Sequence, residues 1–190
     1  MKSILISIKP KWIAKILNGE KTILVLKTAP KCELPTDVYI YCTKTKPNLY
    51  RHIRYEFFHD KKTFKAGLWN GMIVAKFTLK RIDDIGKYAY AFKDSFFYET
   101  LKDACLTPED LTKYAPVRRD EQVKLYAWHI EDLVIFDEPK ELSEFHKLQC
   151  NQRKSPCNIK DVFGVKECHG ICKLCKPLAK APVSWQYIEV

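Results

Sequence analysis

The stretch Ile8-Lys-Pro-Lys-Trp-Ile-Ala-Lys-Ile-Leu-Asn-Gly-Glu-Lys-Thr22 reads as a short helix held between two strands. Pro10 suits a first helical turn, because its missing N–H is one that a helix start leaves unpaired anyway. Trp12, Ile13, Ile16 and Leu17 then recur at helical spacing and make one apolar face. Asn18-Gly19 closes the helix, since glycine enters the left-handed region without steric cost. Upstream, Lys2-Ser-Ile-Leu-Ile-Ser-Ile8 is a first strand. Downstream, Thr22 to Lys27 is a second, ended by Pro30.

Working outward, Asp37 to Thr43 is a third strand after the turn at Pro35. Residues 45–69 follow no clear period and read as a variable insertion, with Tyr50 to Phe58 either a short helix or a strand. Gly71 to Ile85 reads as one long strand. Glu99 to Cys105 and Pro108 to Tyr114 read as helices, the second with Thr107 as N-cap and Asp110 completing an imperfect capping box. Val123 to Phe136 alternates as a strand with a bulge near His129, Pro139 to Phe145 is a helical turn, and Val183 to Val190 is a closing strand. Residues 148–180 are a cysteine-rich insertion. Strands outnumber helices, and few connections are long enough for parallel crossovers. The expected class is α+β: one domain over residues 1–190, with a mostly antiparallel sheet curling toward a barrel and flanked by helices.

Charge narrows the partners. The 190 residues carry a net charge of +10, which favours anionic ligands such as nucleic acid or nucleotides. Met1 to Lys31 holds seven lysines and one acid, and Lys147 to Lys180 holds eight Lys/Arg and two acids, so two short segments supply the whole excess. The competing reading is lysine scattered for solubility. No apolar run approaches the length of a spanning helix, and Lys9 and Lys11 interrupt the first one too soon for a signal peptide. The expected location is cytoplasmic, with no membrane partner and with the cysteines as thiols or metal ligands.

The segment Ile8–Thr22 resembles the opening of the ASCH family, whose domains belong to the PUA-like barrels. Val38-Tyr-Ile-Tyr-Cys-Thr-Lys44, Tyr126-Ala-Trp-His-Ile-Glu-Asp-Leu-Val134 and Ser184-Trp-Gln-Tyr-Ile-Glu189 are similar to later pieces of that family. The resemblance implies a PUA-like fold whose cleft, around Gly19 to Lys27, receives a nucleotide or single-stranded RNA. In the family signature Gly-x-Lys-x-x-Glu-x-Arg, Gly19 and Lys21 match, but Leu24 and Leu26 stand at the acid and the arginine. Some members hydrolyse a modified nucleoside amide, with threonine at the acid's position, and Leu24 lacks that hydroxyl too. Leucine neither grips a phosphate nor moves a proton. Residues 24 and 26 share a strand face, so the chain presents an apolar stripe there. The loss of these partners weakens the case for catalysis, and a hydrolase of a modified nucleoside or of RNA stays as the alternative to a binding module.

The candidate ligand residues are Lys9, Lys21, Thr22, Lys27, Ser184 and Trp185. Lysines at a helix-closing turn suit phosphate, and an aromatic ring suits base stacking. Against this stand a solvated lysine face and aromatics that only fill core, the better reading for Trp12. His129, flanked by Trp128 and Ile130, reads as a sheet-face histidine and not as a base. Five of the eight cysteines cluster as Cys150-x6-Cys157 and Cys168-x3-Cys172-x2-Cys175. A two-residue gap lets both thiolates face one ion, so Cys150, Cys157, Cys172 and Cys175 are a candidate structural zinc set, with Cys168 as an alternate. A redox Cys-x-x-Cys and plain thiols are the competing readings. Cys32, Cys42 and Cys105 are isolated and expected to be buried. The leading function is a module for RNA or a nucleotide, with a hydrolase and a protein-interaction adaptor as alternatives.

Overall fold

The computed structural model describes residues 2–44, 70–86, 95–116, 124–147 and 177–190. The insertion expected at 45–69 and most of the cysteine-rich one lie outside them, including Cys150, Cys157, Cys168, Cys172 and Cys175. The chain opens with β1 (Lys2–Ile8), α1 (Pro10–Leu17), β2 (Ile23–Leu26) and β3 (Thr36–Cys42). Next come β4 (Ile73–Leu79), β5 (Ile82–Asp84), α2 (Ser95–Asp103) and α3 (Pro108–Tyr114). Then follow β6 (Tyr126–His129), β7 (Glu131–Lys140), a 3-10 turn (Leu142–Glu144), β8 (His146–Lys147) and β9 (Trp185–Glu189).

The described strands form two open sheets, with no closed barrel among them. Six strands run in the order β7-β4-β3-β1-β9-β8, and three in the order β2-β6-β5. Only β1 and β3 pair in parallel; every other named pairing is antiparallel. The long strands expected over Gly71–Ile85 and Val123–Phe136 are each two strands, because the chain changes sheet at Lys80–Arg81 and again at Ile130. At the crossings the His129 N–H donates to Arg81 O (3.1 Å) and the Ile130 N–H to Thr22 O (2.9 Å), so neither break leaves those donors unpaired. The short strand β8 has no counterpart in the sequence reading.

Alternation along each strand builds the layers. Ile4, Ile6 and Ile8 of β1, Leu24 of β2, Phe77 and Leu79 of β4 and Trp128 of β6 meet between the two sheets, joined by Ile13 and Ile16 of α1. Ile23 and Val25 point the other way, to Phe97 and Leu101 of α2 and Leu111 of α3. On the outer face of the large sheet Leu5, Tyr39, Tyr41 and Ile188 pack with Phe145 and Leu178. The capping box at α3 is complete: Thr107 Oγ1 accepts from the Asp110 N–H (3.1 Å), and the Asp110 carboxylate accepts from the Thr107 N–H (3.2 Å). Among the described residues no helix is long and apolar enough to cross a membrane.

Candidate nucleic-acid interface

The turn after α1 places the lysine that the sequence singles out. Gly19 takes φ +75°, and the N–H groups of Glu20 and Lys21 both donate to Lys15 O (2.9 and 3.0 Å). That tight closure turns the Lys21 side chain inward. Its ammonium donates to Ala104 O at the end of α2 and lies 5.0 Å from the centre of the Trp12 ring. Only 5% of Lys21 is exposed. The C-terminal end of a helix carries partial negative charge, so an ammonium there is favourable. Lys21 therefore joins α1 to α2, where the sequence alone placed it on an open basic cleft.

Burial pushes the Lys21 amine down to about 8, with Lys15 lowering it further and Cys105 raising it. The folded value lies below the ordinary 10.5, so the unfolded chain binds more protons between the two. This group's penalty is then full below about pH 8 and is relieved as pH rises from about 8 toward 10.5. A lysine-selective NMR titration should show one midpoint near 8. A Lys21 midpoint at the ordinary value of 10.5 would contradict the burial.

The remaining candidates lie near the ends of β1, β2 and β9. The Ser7 N–H donates to Ser184 O (2.8 Å), and Ser7 Oγ donates to Pro182 O (2.6 Å), which anchors the segment entering β9. The Trp185 indole N–H donates to Thr28 Oγ1 (2.9 Å), one residue beyond Lys27. Trp185 is half-buried in a cluster of rings: its centroid is 5.5 Å from that of Trp128 and 5.5 Å from that of Tyr187. The Tyr187 hydroxyl accepts from the Lys31 N–H (2.6 Å), and Lys2 Nζ stands 4.0 Å over the Tyr187 ring. Lys27 is exposed, with its ammonium 4.8 Å over the Tyr114 ring. Lys9 is exposed at the N-cap of α1, and Thr22 is exposed with its N–H on Asp103 O (2.9 Å).

The structure thus joins Lys27 to Trp185 through Thr28, a residue the sequence reading does not single out. Trp128 and Tyr187 also enter the cluster only through the fold. No local signal marks Thr28, because its partner lies 157 residues away.

Leu24 and Leu26 face the same side as Trp128, and Leu24 is 5% exposed. Leu24 and Trp128 are direct cross-strand partners. The Trp128 indole N–H is buried and has no hydrogen-bond partner among the described residues, an arrangement that costs about 1–3 kcal/mol.

His129 sits on the surface of the small sheet. Its Nε2 is 2.8 Å from Asp83 Oδ2, and Arg81 grips the same carboxylate with Nε (2.9 Å) and Nη2 (2.7 Å). Burial pulls the Asp83 carboxyl upward, but the hydrogen bonds from Arg81 and His129 outweigh it and leave the group below its usual range. An ion-pair network accounts for these three side chains. Of the isolated cysteines, Cys42 is buried, and burial raises its thiol to about 11. Cys32 and Cys105 are half-buried, a correction to the expectation, because each lies in a loop or turn at the edge of the core.

No family model matches the sequence, and no curated protein matches it. Solved structures do match. The crystal structure of ASCH from Zymomonas mobilis superposes with a TM-score of 0.53 at 14% identity, covering 98% of this chain and 87% of that one. Structures of two point mutants of that same Zymomonas mobilis protein match as well. One gives a TM-score of 0.52 at 14% identity, covering 98% of this chain and 88% of that one. The other gives 0.51 at 14%, covering 100% and 91%. The chain has the fold of the ASCH proteins.

Proposed function

We propose that the chain binds single-stranded nucleic acid, RNA in the first instance, on the face that carries Trp185. One observation carries the reading: a half-buried indole is fixed by Thr28 beside the exposed Lys27, within a cluster of three aromatic rings. A ring held in place offers a stacking platform that every base can use, and lysines at its rim draw the phosphates. Lys2, Lys9, Lys27 and Lys31 are the exposed cations on the strands and loops around it. The ASCH-like fold is compatible with RNA binding. Lys21 is left out of the contact surface, because its ammonium already serves Ala104 and Trp12. Ser184 and Thr22 contribute through the backbone bonds that hold this face together. A titration with single-stranded RNA at low and high salt, run on the native protein and on Trp185→Ala, tests the reading. Equal affinities would remove Trp185 from the contact.

The reading extends to the cysteine-rich segment by sequence alone. Cys150, Cys157, Cys172 and Cys175, with Cys168 as the alternate, are proposed to hold one structural zinc, since four thiolates close a tetrahedron and leave no position for substrate water. Protein purified without added metal should carry about one equivalent of zinc. A content below roughly a tenth of an equivalent would rule out a resident zinc.

A further inference from the structure

The large sheet has a second face, and it holds a cavity that the Trp185 surface does not use. Neighbouring residues of a strand point to opposite sides, and Ile6 pairs with Trp185 while Ser7 pairs with Tyr41. Tyr41 therefore marks the outer side. There a pocket of about 510 Å³ opens between the end of β3, the start of β4, the 3-10 turn and the segment before β9. That volume is within the ordinary range of small-molecule sites. Its polar lining is Tyr41, Lys44, Glu141, Ser143 and Lys180.

The side chain of Lys44 passes close over Gly71. Gly71 has φ +85°, in the left-handed region, and a Cβ there would stand 2.6 Å from Lys44 Cε and 3.0 Å from Cγ. The lysine stem lies across the glycine backbone, and any side chain at residue 71 would displace it. Neither Lys44 nor Lys180 forms an ion pair among the described residues. Glu141 is the one acid in the lining, and its carboxylate also accepts from the Glu144 N–H of the turn. Two ammoniums with no ion pair among the described residues, beside a partly engaged carboxylate, suit a ligand with both an anionic end and hydroxyl donors.

Residues 45–69 and 148–176 each hold six Lys/Arg and two acids, a net charge of +4 apiece. Lys44 and Gly71 flank the first of these segments and line the pocket; the second ends at Pro177, next to the lining residue Leu178.

We propose that this pocket is a phosphate-monoester site for a nucleotide, free or at the phosphorylated end of an RNA strand. Lys44 and Lys180 hold the phosphate, and Glu141 accepts from the sugar hydroxyls. The choice of a nucleotide rests on the nucleic-acid reading above, but the site is a separate one. Adenosine 5′-monophosphate, adenosine, and a hexanucleotide with either a 5′-phosphate or a 5′-hydroxyl are titrated into native protein and into Lys44→Met/Lys180→Met. The double variant should lose about tenfold or more in affinity for the phosphorylated ligands and nothing for adenosine. A preference of roughly fivefold or more of native protein for the 5′-phosphate strand assigns the RNA end as the source. Binding of the mononucleotide alone assigns the free nucleotide. Gly71→Ala, which leaves both lysines in the chain but moves Lys44, should weaken binding in the same direction. Phosphorylated ligands that bind the double variant as they bind native protein, or that bind native protein no better than adenosine, overturn the proposal. Mononucleotide and 5′-phosphate-strand affinities both kept in the double variant, with RNA affinity lost in Trp185→Ala, would sink this site alone. Mononucleotide binding with no RNA affinity would sink the Trp185 reading alone.

Discussion

Leu24→Glu should lower the unfolding free energy by about 3–5 kcal/mol at pH 7, the cost of an uncompensated charge in a core. Leu24 packs between the sheets with Ile4, Ile6 and Trp128. Of the two lysines three residues away, Lys21 is committed to Ala104 on the side of α2 and cannot turn to meet the new acid without unburying, and Lys27 is exposed with its ammonium over the Tyr114 ring. One donor is at hand, because the unpaired Trp128 indole N–H lies on the cross-strand partner of Leu24. A single neutral donor leaves most of the carboxylate unsatisfied.

The pH dependence follows. Burial raises the folded pKa of the new acid above the unfolded value of about 4.3, so the folded state binds the extra proton between the two. The penalty is full above the raised value and fades as pH falls toward about 4.3. Adding Leu26→Arg places a guanidinium on the same strand face, two residues on. The double variant should be less destabilised than Leu24→Glu alone, with a coupling of about 1 kcal/mol or more. Urea denaturation at pH 7 and at a pH near the unfolded value measures both effects. A Leu24→Glu protein within about 1 kcal/mol of native would show that the position faces water.

The second large effect is on binding. Stacking on one aromatic ring is worth about 1–3 kcal/mol, so Trp185→Ala should weaken single-stranded RNA by roughly 5- to 150-fold. The same change removes the bond to Thr28 and the ring contacts to Trp128 and Tyr187, so some loss of stability accompanies it. Trp185→Phe and Thr28→Val separate the two causes. The phenylalanine keeps a π face and should retain most of the affinity. Thr28→Val leaves the indole in place but frees its N–H, and should cost less than the alanine. If all three variants lost affinity in proportion to their melting temperatures alone, stability and not stacking would explain the result.

Local signals in the sequence carry far. The helix after β1, its glycine closure and the capping box at Thr107 are local features, and each stands where its own residues put it. The sheet changes at Lys80–Arg81 and Ile130 are hard to read in sequence. The alternation through Phe77 and Leu79 shifts by one residue at Ile82, and such a shift reads equally as a bulge within one strand. Lys21 follows the same logic. A lysine just after a helix-closing glycine reads as open to a ligand, and it is a carbonyl 83 residues away that draws it inward. Lys27, Ser184 and Trp185 stand out through the family resemblance and their residue types. What joins Lys27 to Trp185, the Thr28 hydroxyl, carries no mark in sequence. The pocket near Lys44 is hidden for a related reason, since its walls come from four separate stretches of chain.

The central claim is that bases stack on Trp185, and its indole N–H resonance reports on that directly. During a titration of ¹⁵N-labelled protein with single-stranded RNA, the Trp185 indole signal and the Lys27 and Thr28 amides should shift together and saturate at one affinity. Saturating RNA that leaves the Trp185 indole signal unmoved would contradict the account.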